Sequence, residues 1–168
     1  MPAAAQVLPI PEPLMHPQEL RLPANPGEVI INRNQAEFFP HLTDYLELQQ
    51  NHFYPHFKSV DAEWVLNASE QPCWTQFGIC IDGKMIANIE VVIYRTGRSW
   101  GDAHIENVVV HGNYRGQGYG DQIMQAVINF CREQGCKKIL LEAKQCAAGL
   151  YIRSGFEENG DKSYILVL

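Results

Sequence analysis

A glycine-rich turn near the middle of the chain holds the residues best suited to chemistry. It reads Tyr114-Arg115-Gly116-Gln117-Gly118-Tyr119-Gly120 and separates an apolar run ending at Val110 from a long amphipathic pattern. Glycines let backbone N–H groups approach an anion closely, and a helix beginning at this point directs the positive end of its dipole toward the same anion. The turn therefore predicts a phosphate-binding site.

Two common phosphate motifs do not fit these glycines. The third glycine comes too early for the dinucleotide fingerprint, and no Gly-Lys-Ser/Thr follows as in a Walker loop. From Arg115 to Arg153 there are six basic and three acidic residues, whereas the whole chain has a net charge of -6. A basic segment in an acidic chain favours an anionic cofactor at that segment and argues against a nucleic-acid binder. A tight structural turn is the alternative interpretation of the glycines alone.

Composition limits the class of protein. The 168 residues are 46% hydrophobic and 19% charged, which is typical of a single globular domain. No stretch approaches the ~20 apolar residues of a membrane span, and the first residues lack the features of a secretory signal, so we predict no membrane and a cytoplasmic location. Five cysteines without a Cys-x-x-Cys pair, and histidines without ligand spacing, predict free thiols and no metal site.

The elements that must position the turn follow from hydrophobic periodicity and turn residues. Seven of the ten prolines lie in the first 26 residues, so residues 1–28 are predicted as an extended N-terminal arm and residues 29–168 as the domain. The predicted elements are a strand at Val29–Ile31, a helix from Asn34 to about 50, a helix from Asp61 to about Ser69, strands at Cys73–Ile81, Lys84–Arg95 and Ala103–Val110, a helix at Gly118–Gln134, a strand at Lys138–Glu142, a short helix at about Ala147–Ser154 and a strand at Tyr164–Leu168.

These elements predict an α/β fold. The Asp82-Gly83 dipeptide favours a two-residue hairpin, so the three middle strands should form an antiparallel meander. Residues 103–143 read strand, helix, strand, which predicts a βαβ unit with a right-handed crossover. The expected architecture is a mixed, mostly antiparallel sheet with a central βαβ unit and flanking helices, in one domain.

The turn and its surroundings resemble the GNAT superfamily of acetyl-CoA-dependent N-acetyltransferases. Arg115-x-x-Gly118-x-Gly120, after Val108-Val109-Val110 and before an amphipathic helix, is similar to the signature of that family, and 148–156, with Tyr151 before Gly-Phe, resembles its second recurrent motif. The resemblance covers about residues 29–168. The stretch 104–110 is further similar to glucosamine-6-phosphate N-acetyltransferases, although Asn107 stands where those proteins have an acidic residue.

The resemblance implies where acetyl-CoA binds. The pyrophosphate is expected on the turn and the pantetheine arm along the main chain of β-strand residues before it. The residues implied as cofactor-binding are Val108, Val109, Val110, Arg115, Gly116, Gln117, Gly118, Tyr119, Gly120 and Tyr151. No metal is implied, and a homodimer is compatible with the family.

Acetyl transfer to an amine needs an oxyanion donor, an acid for the departing thiolate and a base for the ammonium. The resemblance assigns the first role to the Val108 N–H. Tyr151 is the candidate acid, with packing in the last helix as its alternative, because a phenol titrates near about 10 and a thiol near about 8.5. Glu106 is the candidate base, since period-two alternation places it on the same strand face as Val108 and Val110. The alternatives for Glu106 are a carboxylate in a surface pair or one that only binds the substrate, and Glu90 is the competing base.

The acceptor is less defined than the cofactor. The resemblance implies, as the leading hypothesis, an N-acetyltransferase acting on the primary amine of a small molecule. The acidic rest of the chain favours a cationic acceptor, such as an amino sugar or another cationic amine. Two alternatives are a protein or peptide acceptor and a non-catalytic acyl-CoA-binding domain. The aromatic loop His52, Phe53, Tyr54, His56 and Phe57 is expected either to contact the acceptor or to pack in the core.

Overall fold

In the described part of the chain, seven strands form one mixed sheet. The computed structural model describes residues 20–53, 62–96, 99–143, 147–160 and 163–168. The strands are β1 (Glu28–Asn32), β2 (Trp74–Ile81), β3 (Lys84–Thr96), β4 (Ser99–Val110), β5 (Lys138–Glu142), β6 (Glu157–Glu158) and β7 (Ser163–Val167). The helices are α1 (Gln35–Phe38), α2 (Leu42–His52), α3 (Ala62–Ser69), α4 (Tyr119–Glu133) and α5 (Ala148–Arg153). The strand order is β1-β2-β3-β4-β5-β7-β6.

The first predicted helix is divided by a proline. Asn34 caps α1 as predicted, because its side chain accepts a hydrogen bond of 3.0 Å from the Glu37 N–H. A 3₁₀ turn at Phe39–His41 then separates α1 from α2, because Pro40 lacks an N–H and fixes φ. The prediction of one continuous helix from Asn34 was therefore wrong, and α2 extends to His52, into the predicted loop.

The antiparallel meander is confirmed. Asp82 and Gly83 both have positive φ, as a two-residue hairpin turn requires, and β2, β3 and β4 pair in sequence. Strand β4 begins at Ser99, four residues before its predicted start. The βαβ unit is also confirmed, since β4 and β5 are parallel, with Ala103 opposite Ile139, and α4 connects them.

Each face of the sheet has its own hydrophobic core. On one face α4 covers a cluster whose members include Phe77, Ile89, Ile123, Met124 and Ile139. On the other face, α1 to α3 cover a second cluster whose members include Phe38, Tyr45, Val65, Trp74 and Met85. This arrangement confirms the predicted α/β class with flanking helices.

The described part of the N-terminal arm runs along the start of α4. The Tyr119 hydroxyl donates to the Asn25 carbonyl at 3.1 Å, and Gln122 Nε2 donates to the Gly27 carbonyl at 2.8 Å. Residues 1–19 lie outside the described residues. None of the described helices is long and apolar enough to cross a membrane.

Candidate active site

The glycine-rich turn connects β4 to α4. Gly118 is the N-cap of α4 with φ of +94°, and Gly116 has φ of +73°, conformations that favour glycine over every other residue. The N–H groups of the first turn of α4 have no partner inside the helix and point back toward the turn. The structure thus has the local geometry that the sequence predicted for anion binding.

A cavity of about 150 Å³ opens beside this turn. Its wall comes from the N-terminal arm, the end of β4, the turn itself, the first turn of α4 and helix α5. It includes Arg21, Val110, Arg115, Gly118, Leu150 and Arg153. A Cβ added at Gly116 would meet nothing within 4 Å, so the backbone there is open to a ligand. Three arginines, each from a different part of the chain, therefore line one small space.

Two of these guanidinium groups have partners in the protein. Arg115 Nε donates to the Val110 carbonyl at 2.9 Å, and its Nη2 lies 3.0 Å from His52 Nδ1 at the end of α2. Arg153 donates from Nε and Nη2 to the two carboxylate oxygens of Asp121, each at 3.1 Å. Asp121 is only 3% exposed, so this pair ties α5 to α4 beside the cavity. The sequence analysis did not identify this pair, since the two residues are far apart in the chain.

Strands β4 and β5 separate before β4 reaches the cavity at Val110. Their described pairing runs from Asp102 opposite Lys138 to Ile105 opposite Leu141, whereas β4 continues to Val110. The main chain of Glu106–Val110 therefore extends beyond the paired part of β5. An extended ligand chain could pair with backbone groups at such an edge.

A bulge interrupts β4 at the predicted catalytic residues. Asn88 pairs with Val109 and Glu90 with Glu106, so Asn107 and Val108 together oppose Ile89 alone. Asn107 has φ of +51°, in the left-handed region.

The bulge corrects the predicted side-chain directions. Val108 and Val110 pack against the core on the α4 face, whereas Glu106 is directly opposite Glu90, which faces α2. The expectation that Glu106 shares a face with Val108 and Val110 was wrong, because one extra residue shifts the period-two alternation between them.

The two candidate bases differ in environment. Glu90 is 8% exposed, and its carboxylate accepts hydrogen bonds from the Tyr45 hydroxyl and from Trp74 Nε1, the latter at 3.2 Å. Residue Glu106 is exposed, yet its carboxyl group is partly buried against the sheet. This loss of solvation is the largest cause of its raised pKa. The charge of Glu90 raises the pKa of Glu106 further, and Glu142 raises it as well, while His104 lowers it.

A chain of buried amides leads across the sheet to the bulge. Asn32 donates to Gln76, Gln76 donates to Asn88, and Asn88 Nδ2 donates to the Asn107 carbonyl at 3.2 Å. This network fixes the main chain where β4 departs from regular pairing. The sequence analysis missed it, although a single amide such as Asn88 inside an otherwise apolar strand is a usable signal.

Tyr151 lies in α5 close to the cavity wall, one residue after Leu150. It is 3% exposed, and its ring packs edge-on to Phe156 at 6.0 Å and tilted against Tyr164 at 5.6 Å. The ring is thus part of the α4-side core, and the residue before it, Leu150, lines the cavity. Its predicted role as an acid remains a prediction.

The other predicted groups divide between described and undescribed residues. His52 contacts Arg115, and Phe53 packs edge-on to His52 at 4.5 Å, whereas Tyr54, His56 and Phe57 lie outside the described residues. In the described ranges, no group of three or more His, Cys, Asp or Glu could hold a metal ion. Cys73, Cys80, Cys131 and Cys136 are free thiols, and Cys146 lies outside the described residues.

Comparison with known proteins identifies a family and several relatives. The sequence profile of the acetyltransferase (GNAT) family matches residues 34–156. Glucosamine 6-phosphate N-acetyltransferase of Trypanosoma brucei brucei is 32% identical over 78 residues, which are 44% of this chain and 52% of that protein. A protein of Bacillus subtilis named as a [ribosomal protein bS18]-alanine N-acetyltransferase is 31% identical over 62 residues, 35% of this chain and 41% of that protein. The chain thus spans about half or less of the length of these curated relatives.

Solved structures share the fold at low sequence identity. An acetyltransferase from Agrobacterium tumefaciens has a TM-score of 0.70 at 23% identity, covering 80% of this chain and 95% of that one. An acetyltransferase from Clostridium acetobutylicum with acetyl-CoA has a TM-score of 0.61 at 13% identity, covering 80% and 93%. The family profile spans most of the chain, including the turn, the bulge and α5. The chain therefore belongs to the acetyltransferase (GNAT) family.

Proposed function

We propose that this protein transfers the acetyl group of acetyl-CoA to the primary amine of a small molecule by direct attack. The observation that supports this best is the glycine-rich turn at the positive end of α4, which is open at Gly116 and follows the part of β4 that extends beyond its pairing with β5. The turn can bind an anion, and the adjoining part of β4 can bind an extended chain attached to that anion. Acetyl-CoA has both parts, a diphosphate and a pantetheine arm that ends in the acetyl thioester.

The residues around the cavity fit the coenzyme. Arg115 to Gly120 would hold the diphosphate through main-chain N–H groups and one guanidinium, in agreement with the open space at Gly116. Val108, Val109 and Val110 would pair with the pantetheine arm through their backbone, because this part of β4 lies beyond its pairing with β5. The acetyl thioester supplies the activated acyl group.

Three groups of this chain would then serve the transfer. Glu106 removes a proton from the acceptor ammonium, directly or through water, so that a neutral amine attacks the carbonyl carbon. The Val108 N–H donates to the carbonyl oxygen as it gains negative charge, and the bulge, which disrupts the regular ladder at Asn107, leaves a main-chain donor available for this task. The Tyr151 hydroxyl donates a proton to the departing thiolate as the carbon–sulfur bond breaks.

Glu106 is a better base than Glu90 in this arrangement. The raised pKa of Glu106 brings its proton affinity closer to that needed at neutral pH. The Glu90 carboxylate is occupied by Tyr45 and Trp74, and its negative charge contributes to the shift. Glu90 therefore acts through Glu106, as a positioning residue whose negative charge raises the pKa of the Glu106 carboxyl group.

An amino sugar or another cationic amine is the proposed acceptor. The Glu90–Glu106 pair makes the α2 face of β4 attractive to an ammonium group. The Trypanosoma relative is named for an amino sugar phosphate, whereas the Bacillus relative is named for the α-amine of a ribosomal protein, so a protein N-terminus is the second candidate.

A thiol-release screen separates these possibilities. The protein is incubated with acetyl-CoA and separate panels of amino sugars, amino sugar phosphates, polyamines, aminoglycosides and N-terminal peptides. Release above the amine-free rate with a small amine supports the proposal, and release with peptides alone supports the second candidate. No release with any amine, together with no heat when coenzyme A is titrated into the protein, would contradict acetyl-CoA-dependent transfer.

A further inference from the structure

The described end of the N-terminal arm forms one wall of the cavity. We call residues 20–27 the strap. The strap crosses the start of α4, where its carbonyls at Asn25 and Gly27 accept hydrogen bonds from Tyr119 and Gln122. Arg21 reaches the cavity next to Gly118. Arg21 is nearly a hundred residues away from the turn in sequence, so no local motif includes it.

The contact between the strap and the turn is close. A Cβ added at Gly118 would lie 2.3 Å from the Arg21 carbonyl oxygen and 2.7 Å from the Pro23 nitrogen. Both are backbone atoms, so the strap is seated directly on the α-carbon of Gly118. Glycine at this position therefore serves two purposes, a left-handed cap for α4 and room for the strap.

The charges around the cavity show what Arg21 adds. Arg153 is compensated by Asp121 at 3.1 Å, and Arg115 is held by Val110 and His52. Within the described part of the chain, the Arg21 guanidinium forms no ion pair with a carboxylate, and the residue is exposed. The negative charge of Asp121 cancels one of the three arginine charges. The cavity wall therefore has a net charge of two when Arg21 is counted and one when it is left out. A diphosphate linkage carries about two negative charges, which two net positive charges match.

We propose that Arg21 is a coenzyme-binding residue, which the strap brings over the turn to contact the diphosphate of acetyl-CoA. This inference rests on the proposed function and extends its binding site to the N-terminal arm. The strap then acts as a third side of the diphosphate site, in addition to the turn and α5. A guanidinium contacts phosphate oxygens through two N–H donors, whereas an ammonium does so as a point charge.

Calorimetric titration of coenzyme A into the full-length protein tests the assignment. Arg21→Ala should raise the Kd by about 5- to 30-fold at low salt, as expected for the loss of one charged hydrogen-bond donor at a partly exposed site. Arg21→Lys should recover part of that loss. Arg132→Ala is the matched control, because it removes the same charge from the exposed far end of α4 and should leave the Kd unchanged.

Two further measurements identify the phosphate. 3′-Dephospho-coenzyme A retains the diphosphate, so Arg21→Ala should weaken its binding by the same factor. Pantetheine has no phosphate, and the two proteins should bind it equally. The slope of log Kd against log salt should also be smaller in Arg21→Ala than in the unmodified protein. If only 3′-phosphate-containing coenzyme distinguishes the proteins, the contact is with the 3′-phosphate and the assignment to the diphosphate is wrong.

The possible failures are distinguishable. If the unmodified protein binds coenzyme A and Arg21→Ala binds it as tightly as Arg132→Ala does, Arg21 is not a binding residue and the proposed function is unaffected. Tighter binding by Arg21→Ala would overturn the inference in another way, since the strap would then obstruct the site. If the unmodified protein binds no coenzyme A, the proposed function itself fails.

Discussion

Gly118→Ala should release the strap from the turn, whereas Gly116→Ala should leave it in place. At position 118 the new methyl group would lie 2.3 Å from the Arg21 carbonyl oxygen, and at position 116 it would meet nothing within 4 Å. Both glycines have positive φ, so both alanine variants carry backbone strain of the same kind. Gly116→Ala is therefore a matched control for strain, and any difference between the variants reports the contact with the strap.

The size of the effect follows from what holds the strap. Backbone strain costs about 1–3 kcal/mol in either variant. The hydrogen bonds from Tyr119 and Gln122 to the strap contribute about 0.5–1.5 kcal/mol each, so undocking it in the unmodified protein costs about 1–3 kcal/mol. The methyl group at position 118 conflicts with backbone atoms, which side-chain rotation cannot relieve, and this removes the docked state. Opening should increase about 5- to 150-fold in Gly118→Ala.

Limited trypsin digestion measures this opening directly. Arg21 and Arg33 are the first two basic residues of the chain, so cleavage after Arg21 releases a peptide that mass spectrometry identifies without ambiguity. The rate of cleavage under native conditions should follow the population of the undocked strap. Equal rates for Gly118→Ala, Gly116→Ala and the unmodified protein would refute the close contact between the strap and Gly118.

Three other predictions concern the catalytic groups and the buried thiols. Tyr151→Phe should lower kcat by about 10²- to 10⁴-fold with little change in the KM for acetyl-CoA. The control Tyr94→Phe, at an exposed tyrosine, should change neither constant. Equal kcat values for Tyr151→Phe and the unmodified protein would exclude Tyr151 as the acid. Because the pKa of Glu106 is raised and its ionised form is the base, kcat should rise with pH through a limb above about 4.5. Glu106→Gln should abolish that limb, and Glu90→Gln should move it to lower pH by removing a charge that raises the pKa; a limb that stays in place in both variants would contradict this assignment. Burial raises the pKa of Cys131 to about 12, so this thiol should not react rapidly with a disulfide reagent at pH 8. Cys131→Ser should therefore leave the number of rapidly reacting thiols unchanged. A loss of one rapidly reacting thiol in this variant would show that Cys131 is accessible.

The fold could be predicted where local signals and burial agree. The amphipathic pattern after Gly118, the Asp82-Gly83 turn and the apolar run at Lys138–Glu142 each gave an element close to its observed limits. The division of the first helix was missed because its apolar spacing continues across Pro40. The short strand β6 was also missed, since two glutamates have no strand pattern and pair with β7 only in the folded sheet.

The site could be predicted only in part, for a topological reason. The turn residues are adjacent in sequence, so their spacing alone identifies them. The direction of Glu106 depends on a bulge, and a bulge arises from how β4 pairs with β3 rather than from residues 106–110 alone. Likewise, Arg21 and Arg153 meet at the cavity through the packing of α4, which no local pattern encodes.

The bulge also determines where the proposed reaction takes place. Val108 and Val110 face α4, on the same side as the cavity, whereas Glu106 faces α2 together with Glu90. The proposed coenzyme and acceptor sites therefore lie on opposite faces of one strand. A side chain on either face would have to pass around the sheet to reach the other. The main chain of β4 is accessible to both sites where it separates from β5. A backbone N–H at this edge can stabilise the carbonyl oxygen while Glu106 approaches the amine from the other face. The buried amides that end at the Asn107 carbonyl would then be required for rate as well as for stability, because they hold that edge in place.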